Sequence, residues 1–180
     1  MGRNNSDAWN TIRSFCLAEH IDEKILYKKS KMILEAYRSL CWQTLNNAND
    51  TIVDLCFCAS SDIDGALIYL ETFAPEREKD LFESRIKNLF DIRWLVNLVD
   101  SAMVKTRDFP IYGDEYAEII SKSFLTRWKY KESDLLEIFR LERSRFYDKK
   151  KEAIMLFGIS LFGTAIPRFR DLSIGTIGPT

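Results

Sequence analysis

The feature that most restricts the fold of this chain is a scarcity of helix breakers. Between Arg3 and Phe157 there are two glycines, Gly65 and Gly113, and two prolines, Pro75 and Pro110. These are the residues that most strongly interrupt regular backbone, so long segments are left free to be helical. The expectation is an all-α protein with an N-terminal helical bundle or long-helix region.

Apolar spacing divides the chain into segments. Ser6 is placed to cap a first helix carrying Trp9, Ile12 and Phe15. Asp22 is placed to cap a long second helix, with Leu26, Ile33, Tyr37, Leu40 and Cys41 at three- or four-residue steps. Asn46 to Asp50 weakens or ends it, and a third apolar segment follows at Ile52 to Cys58. A cap signal at Ser61 and Asp62 precedes a helix over Ala66 to Phe73, which must stop near Pro75 because the residue before proline disfavours helical dihedrals. The longest helix is expected over Glu76 to Lys105, striped with Leu81, Phe82, Ile86, Leu89, Ile92, Leu95, Val96, Val99 and Met103. Its acids Glu76 and Glu78 suit the positive end of the helix dipole.

Pro110 and Gly113 break the pattern in Thr106 to Tyr112, which implies a boundary between an N-terminal helical region, 1–105, and a C-terminal unit, 106–165. That unit is expected to hold a helix near Asp114 to Leu125, a loop from Thr126 to Glu132, two helices joined by a tight connector, and an apolar extension from Met155 to Phe162. Pro167, Gly175, Gly178 and Pro179 then imply a loose tail, 166–180.

Composition excludes several classes. With 180 residues, 46% apolar and 13% aromatic, the chain has ample material for a core, and a formal charge of −1 argues against a general nucleic-acid coat. No apolar run approaches the roughly 18 residues that span a bilayer, and Asn4 to Arg13 lacks the apolar core of a signal peptide. A cytoplasmic protein with no membrane partner is expected. Cys16, Cys41, Cys56 and Cys58 have poor zinc-ligand spacing and read as buried thiols. His20, the only histidine, has no nucleophile placed with it, and Asp62 with Asp64 or Asp114 with Glu115 read as helix-start acids. With no glycine-rich phosphate loop either, no enzyme, cofactor or metal site is expected.

One stretch carries chemistry. Ser133 to Phe157, SDLLEIFRLERSRFYDKKKEAIMLF, runs from a short apolar-patterned helix through a connector into a longer helix in which Arg143 to Lys151 holds five cations against one acid, Asp148. A helix enters the DNA major groove when its exposed N-terminal half offers donors to base edges while nearby cations neutralise phosphates. Arg143, Ser144, Tyr147 and Lys151 follow helical steps that put them on one face. Arg143, Ser144 and Tyr147 are therefore expected to approach bases, and Arg145, Lys149, Lys150 and Lys151 to hold the backbone. Leu135, Leu136, Phe139, Phe146, Ile154 and Phe157 supply the apolar side of the pair.

The residues RSRFYDKKKEAI resemble the helix-turn-helix of the ArpU/RinA group of phage-associated transcriptional regulators, which is similar to region four of sigma factors. Arg143, Ser144, Tyr147, Lys150, Lys151, Glu152, Ala153 and Ile154 stand in matching places. Ile33 to Leu40, ILEAYRSL, looks similar to an upstream helix of such proteins. Three positions depart from the pattern. Arg140 stands at the turn where glycine is usual, Leu136 stands for a small alanine, and Glu142 replaces a better cap such as serine. Arg140 fits there only if its dihedrals avoid the left-handed region. The resemblance implies a sequence-specific regulator of phage or prophage genes that binds double-stranded DNA. Its N-terminal helices would form a homodimer or contact RNA polymerase. The competing expectation is a helical adaptor without DNA contact, whose Trp9, Trp42, Trp94 and Trp128 serve packing and a partner groove.

Overall fold

The computed structural model describes residues 6–45, 60–76, 79–89 and 93–168, with the side chains of 42–45, 60–64, 87–89 and 93 left aside. Cys56, Cys58, the Ile52 to Cys58 segment and most of the expected tail lie outside the described residues. The described chain is all-helical: α1 (Asp7–Ala18), α2 (Glu23–Leu45), α3 (Ser60–Thr72), α4 (Lys79–Leu89), α5 (Arg93–Arg107), α6 (Gly113–Ile120), α7 (Glu132–Phe139) and α8 (Arg143–Ser160). Helices α6 and α8 each run on into a π turn, Ser121–Leu125 and Leu161–Ala165.

Two caps are set by the residues expected to set them. Ser6 Oγ accepts from the Trp9 amide at 3.2 Å, and Asp22 Oδ1 accepts from the Lys24 and Ile25 amides at 2.7 and 3.0 Å. Each satisfies amides that have no partner inside the helix. His20 lies exposed beyond α1, with φ of 54°, and α3 ends at Thr72, ahead of Pro75.

The core is organised around α8, which touches α1, α2, α5 and α6. From Glu152 to Gly158 every residue of α8 is buried. Helix α2 brings Leu26, Ile33, Leu34 and Leu40 to this core, α5 brings Leu95, Leu98, Val99 and Ala102, and α6 brings Tyr116, Ile119 and Ile120. The α5 set recurs at three- and four-residue spacing and the α2 set falls near whole turns of the helix, as one buried helical face requires. Helices α3 and α4 add a second layer on α2, where Phe73 and Phe82 lie 4.9 Å apart between ring centroids.

The structure revises two expectations. Leu81 is 61% exposed while its neighbour Phe82 is buried. Phe82 falls with Ile86, four residues on, on the buried side of α4, and Leu81, about 100° away around the helix, falls outside it. Second, the Thr106 to Tyr112 connection does not separate two cores: Ile12, Leu34 and Val99 share one apolar cluster with Tyr116, Phe146 and Phe157. The connection is anchored at its two ends, although most of its residues are exposed. Thr106 is buried and donates to the Ala102 carbonyl at 2.8 Å, and a Cβ at Gly113 would collide with the Arg107 carbonyl oxygen.

At Gly158, α8 lies close against α2. A Cβ there would fall inside contact distance of Ser30 Oγ and 3.0 Å from Leu26 Cδ1. Gly158→Ala should therefore destabilise the protein by about 1–3 kcal/mol, the usual cost of overpacking, read as a lower urea midpoint. Adding Ser30→Ala should recover part of the loss; an unchanged midpoint in Gly158→Ala would contradict this account of the α2–α8 contact.

Candidate functional site

The basic half of α8 projects from the core behind a short antecedent helix. Helix α7 begins where the Asp134 carboxylate accepts from the Lys131 amide at 3.1 Å, and it packs on α8 through buried Leu135 and half-buried Leu136 and Phe139. The Phe139 and Phe146 rings lie 5.8 Å apart.

A three-residue connection, Arg140 to Glu142, joins the two helices. The Arg140 amide donates to the Glu137 carbonyl at 3.2 Å and the Leu141 amide to the Leu136 carbonyl at 3.3 Å, which close the end of α7. Arg140 has φ 51° and ψ 41°. The turn is thus left-handed at a non-glycine residue, the conformation in which both amides return to the last turn of α7. Glu142 stands at the start of α8 without a side-chain capping bond.

The seven basic-helix residues singled out from sequence do not form one uniform face. Arg143, Ser144, Arg145, Tyr147 and Lys151 are exposed, whereas Lys149 and Lys150 are half-buried. The Arg143 guanidinium pairs with Glu132 Oε1 at 2.7 Å, and the Tyr147 hydroxyl donates to Glu132 Oε2 at 3.1 Å. One carboxylate from the first residue of α7 thus clasps two residues of α8. Lys149 pairs with Glu115 on α6 and lies 4.4 Å from the centre of the Tyr112 ring. Lys150 Nζ sits 4.7 Å from the Phe124 ring centre and 5.9 Å from that of Phe146. Burial lowers the Lys150 pKa, and the nearby Lys31 cation lowers it further. Lys151 Nζ lies 5.1 Å from the ring centre of Trp9 on α1.

Beneath this patch lies a group that sequence reasoning did not single out as part of a site. Glu152 is buried, with Ser6 Oγ donating to one carboxylate oxygen at 2.5 Å and the Tyr116 hydroxyl to the other at 2.7 Å. Burial, then this hydrogen bond to Glu152, pushes the Tyr116 pKa upward. Above the carboxylate, Arg145, Asp148 and Lys149 border a shallow pocket of about 200 Å³. Among the described residues, no group of acids, cysteines and histidine is arranged to hold a metal, and no helix is long and apolar enough to cross a membrane. No family model, curated protein or solved structure matches this chain.

Two outcomes follow from this geometry. Arg140→Gly should raise stability by about 0.5–1 kcal/mol, since glycine enters the left-handed region without steric cost; a urea midpoint at or below that of the native protein would refute it. For Lys150, a folded-state pKa below the ordinary value of 10.5 means that the unfolded chain binds more protons between those two values. Stability attributable to this group therefore rises with pH across that window. Lys150→Met should be more stable than the native protein near pH 7, and its advantage should shrink as pH approaches 10.5, which denaturant titrations at several pH values would reveal.

Proposed function

We propose that this protein binds double-stranded DNA through the exposed N-terminal half of α8, as a helix-turn-helix transcriptional regulator. The observation that carries the reading is the arrangement of that helix. Its C-terminal half is buried from Glu152 to Gly158, while Arg143, Ser144, Arg145, Tyr147 and Lys151 are exposed behind a three-residue turn from α7, with Phe146 anchoring that half in the core. A reader helix needs this combination of a rigid mount and a solvent-facing, donor-rich entry.

Within this reading, Arg143, Ser144 and Tyr147 face base edges, and Arg145 and Lys151 face flanking phosphates. Lys149 and Lys150, turned inward onto Glu115 and Phe124, add positive potential and fix the helix rather than grip phosphates directly. DNA has to displace Glu132 from Arg143 and Tyr147. The Arg143 side chain is 72% exposed and that of Glu132 39%, and an exposed pair of this kind is worth about 0–1 kcal/mol. A phosphate can compete for that position. The regulatory role, and its link to phage or prophage genes, rest on the resemblance of RSRFYDKKKEAI to the ArpU/RinA group. One such unit offers little contact area, so a second copy, or RNA polymerase met by the N-terminal helices, would complete the complex.

The intramolecular partners of Arg143, Lys149 and Lys151 favour a second reading, a helical adaptor in which this charge serves packing. Fluorescence anisotropy with promoter fragments at two salt concentrations separates the readings. The regulator should bind some fragments selectively, more weakly at the higher salt, and Arg143→Glu with Arg145→Glu should abolish the complex. Binding that survives the double substitution would remove α8 as the reader, and the absence of binding to any fragment would favour the adaptor.

A further inference from the structure

The loop that delivers the chain into α7 carries Arg127, Trp128, Lys129, Tyr130 and Lys131 in succession, three cations and two aromatic rings, all exposed. Trp128 is 74% exposed, whereas Trp94 is 6% exposed and built into the core. A large indole presented to water adds little burial to the fold, and the backbone that carries it is held in place. Arg38 Nε donates to the Thr126 carbonyl at 2.8 Å, and Thr126 Oγ1 donates to the Trp128 carbonyl at 3.0 Å. The Arg127 guanidinium lies 5.2 Å from the centre of the Trp128 ring, and Lys122 Nζ 5.5 Å from that of Tyr130.

We propose that this loop holds unpaired nucleotides next to the duplex face of α8. Flat rings interleaved with cations are what a single strand requires: each base has a π face to stack on an aromatic ring, and each linkage carries a phosphate for a nearby cation. The segment 127–131 contains three cations and no acid, with Lys129 and Lys131 exposed, so its charge fits a polyanion. Position adds to the argument. Lys131 is followed by Glu132, whose carboxylate already touches Arg143 and Tyr147, so the loop ends beside the reader helix. The proposal rests on the DNA-binding reading for the duplex beside the loop, but the loop itself can be tested separately.

The test uses the full chain and anisotropy at low salt with three labelled probes: a blunt duplex, the same duplex with a single-stranded thymidine tail, and free oligothymidine. The tail should tighten binding roughly tenfold, in the range of one base stacked on an aromatic ring. Trp128→Ala should erase that increment and leave blunt-duplex affinity unchanged, and Trp128→Phe should keep most of it. A tail that adds nothing, or an increment that Trp128→Ala retains, overturns the loop proposal. The reader-helix assignment would still stand if Arg143→Glu with Arg145→Glu abolishes blunt-duplex binding. Trp128-dependent binding of oligothymidine without any duplex binding upholds the loop and overturns the reader helix. A parallel sedimentation assay with phosphatidylserine vesicles completes the test: Trp128-dependent binding there with none to oligothymidine overturns the proposal in favour of a lipid surface.

Discussion

Burial of α8 beyond Lys151 is the constraint to which the other helices answer. Ile154, Met155, Leu156 and Phe157 are consecutive and all buried, so no single neighbour can cover them. Full burial of a large apolar side chain contributes about 1.5–3 kcal/mol, and reaching it here takes α1, α2, α5 and α6 together. These four helices come from both sides of the Thr106 to Tyr112 connection. A single core is the consequence, and along the charged half of α8 it keeps to one side, through Phe146.

Charge on that half divides into two energetic kinds. The Arg143–Glu132 pair is well exposed and costs little to exchange. The Lys149–Glu115 pair is more sheltered, with side chains 16% and 27% exposed, and removing one partner would leave the other charge poorly solvated. Lys149 therefore belongs to the joint between α6 and α8, and Arg143 to the surface available for a ligand. The division depends on depth, not on residue type.

Much of the fold was legible because its signals are local. The shortage of glycine and proline announced helices, and Ser6, Asp22 and Pro75 marked ends that the structure places within a few residues. The apolar run after Glu152 also announced an inner segment, although its lack of periodicity, which distinguishes a helix buried on all sides, was read only as an extension. What could not be read depends on partners distant in sequence. Lys149 and Lys150 lie in a run of three lysines that looks solvated, and only the placement of Glu115 and Phe124 turns them inward. The left-handed Arg140 was hidden for the opposite reason: its sequence position suggested glycine, and the backbone kept the conformation without the residue. The shared core was missed because Pro110 and Gly113 signal a break in the helix, not in the packing around it.

Glu152 has a consequence beyond its own satisfaction. Its carboxylate is held from two directions, by Ser6 at the start of α1 and by Tyr116 on α6. Turning α8 by one residue, about 100°, would carry the carboxylate away from both hydroxyls. The bond pair acts as a key in a slot, fixing the azimuth of the helix where apolar packing alone would tolerate rotation. Which side chains α8 shows to the outside is thus decided one position beyond the basic run, by a residue that never reaches the surface.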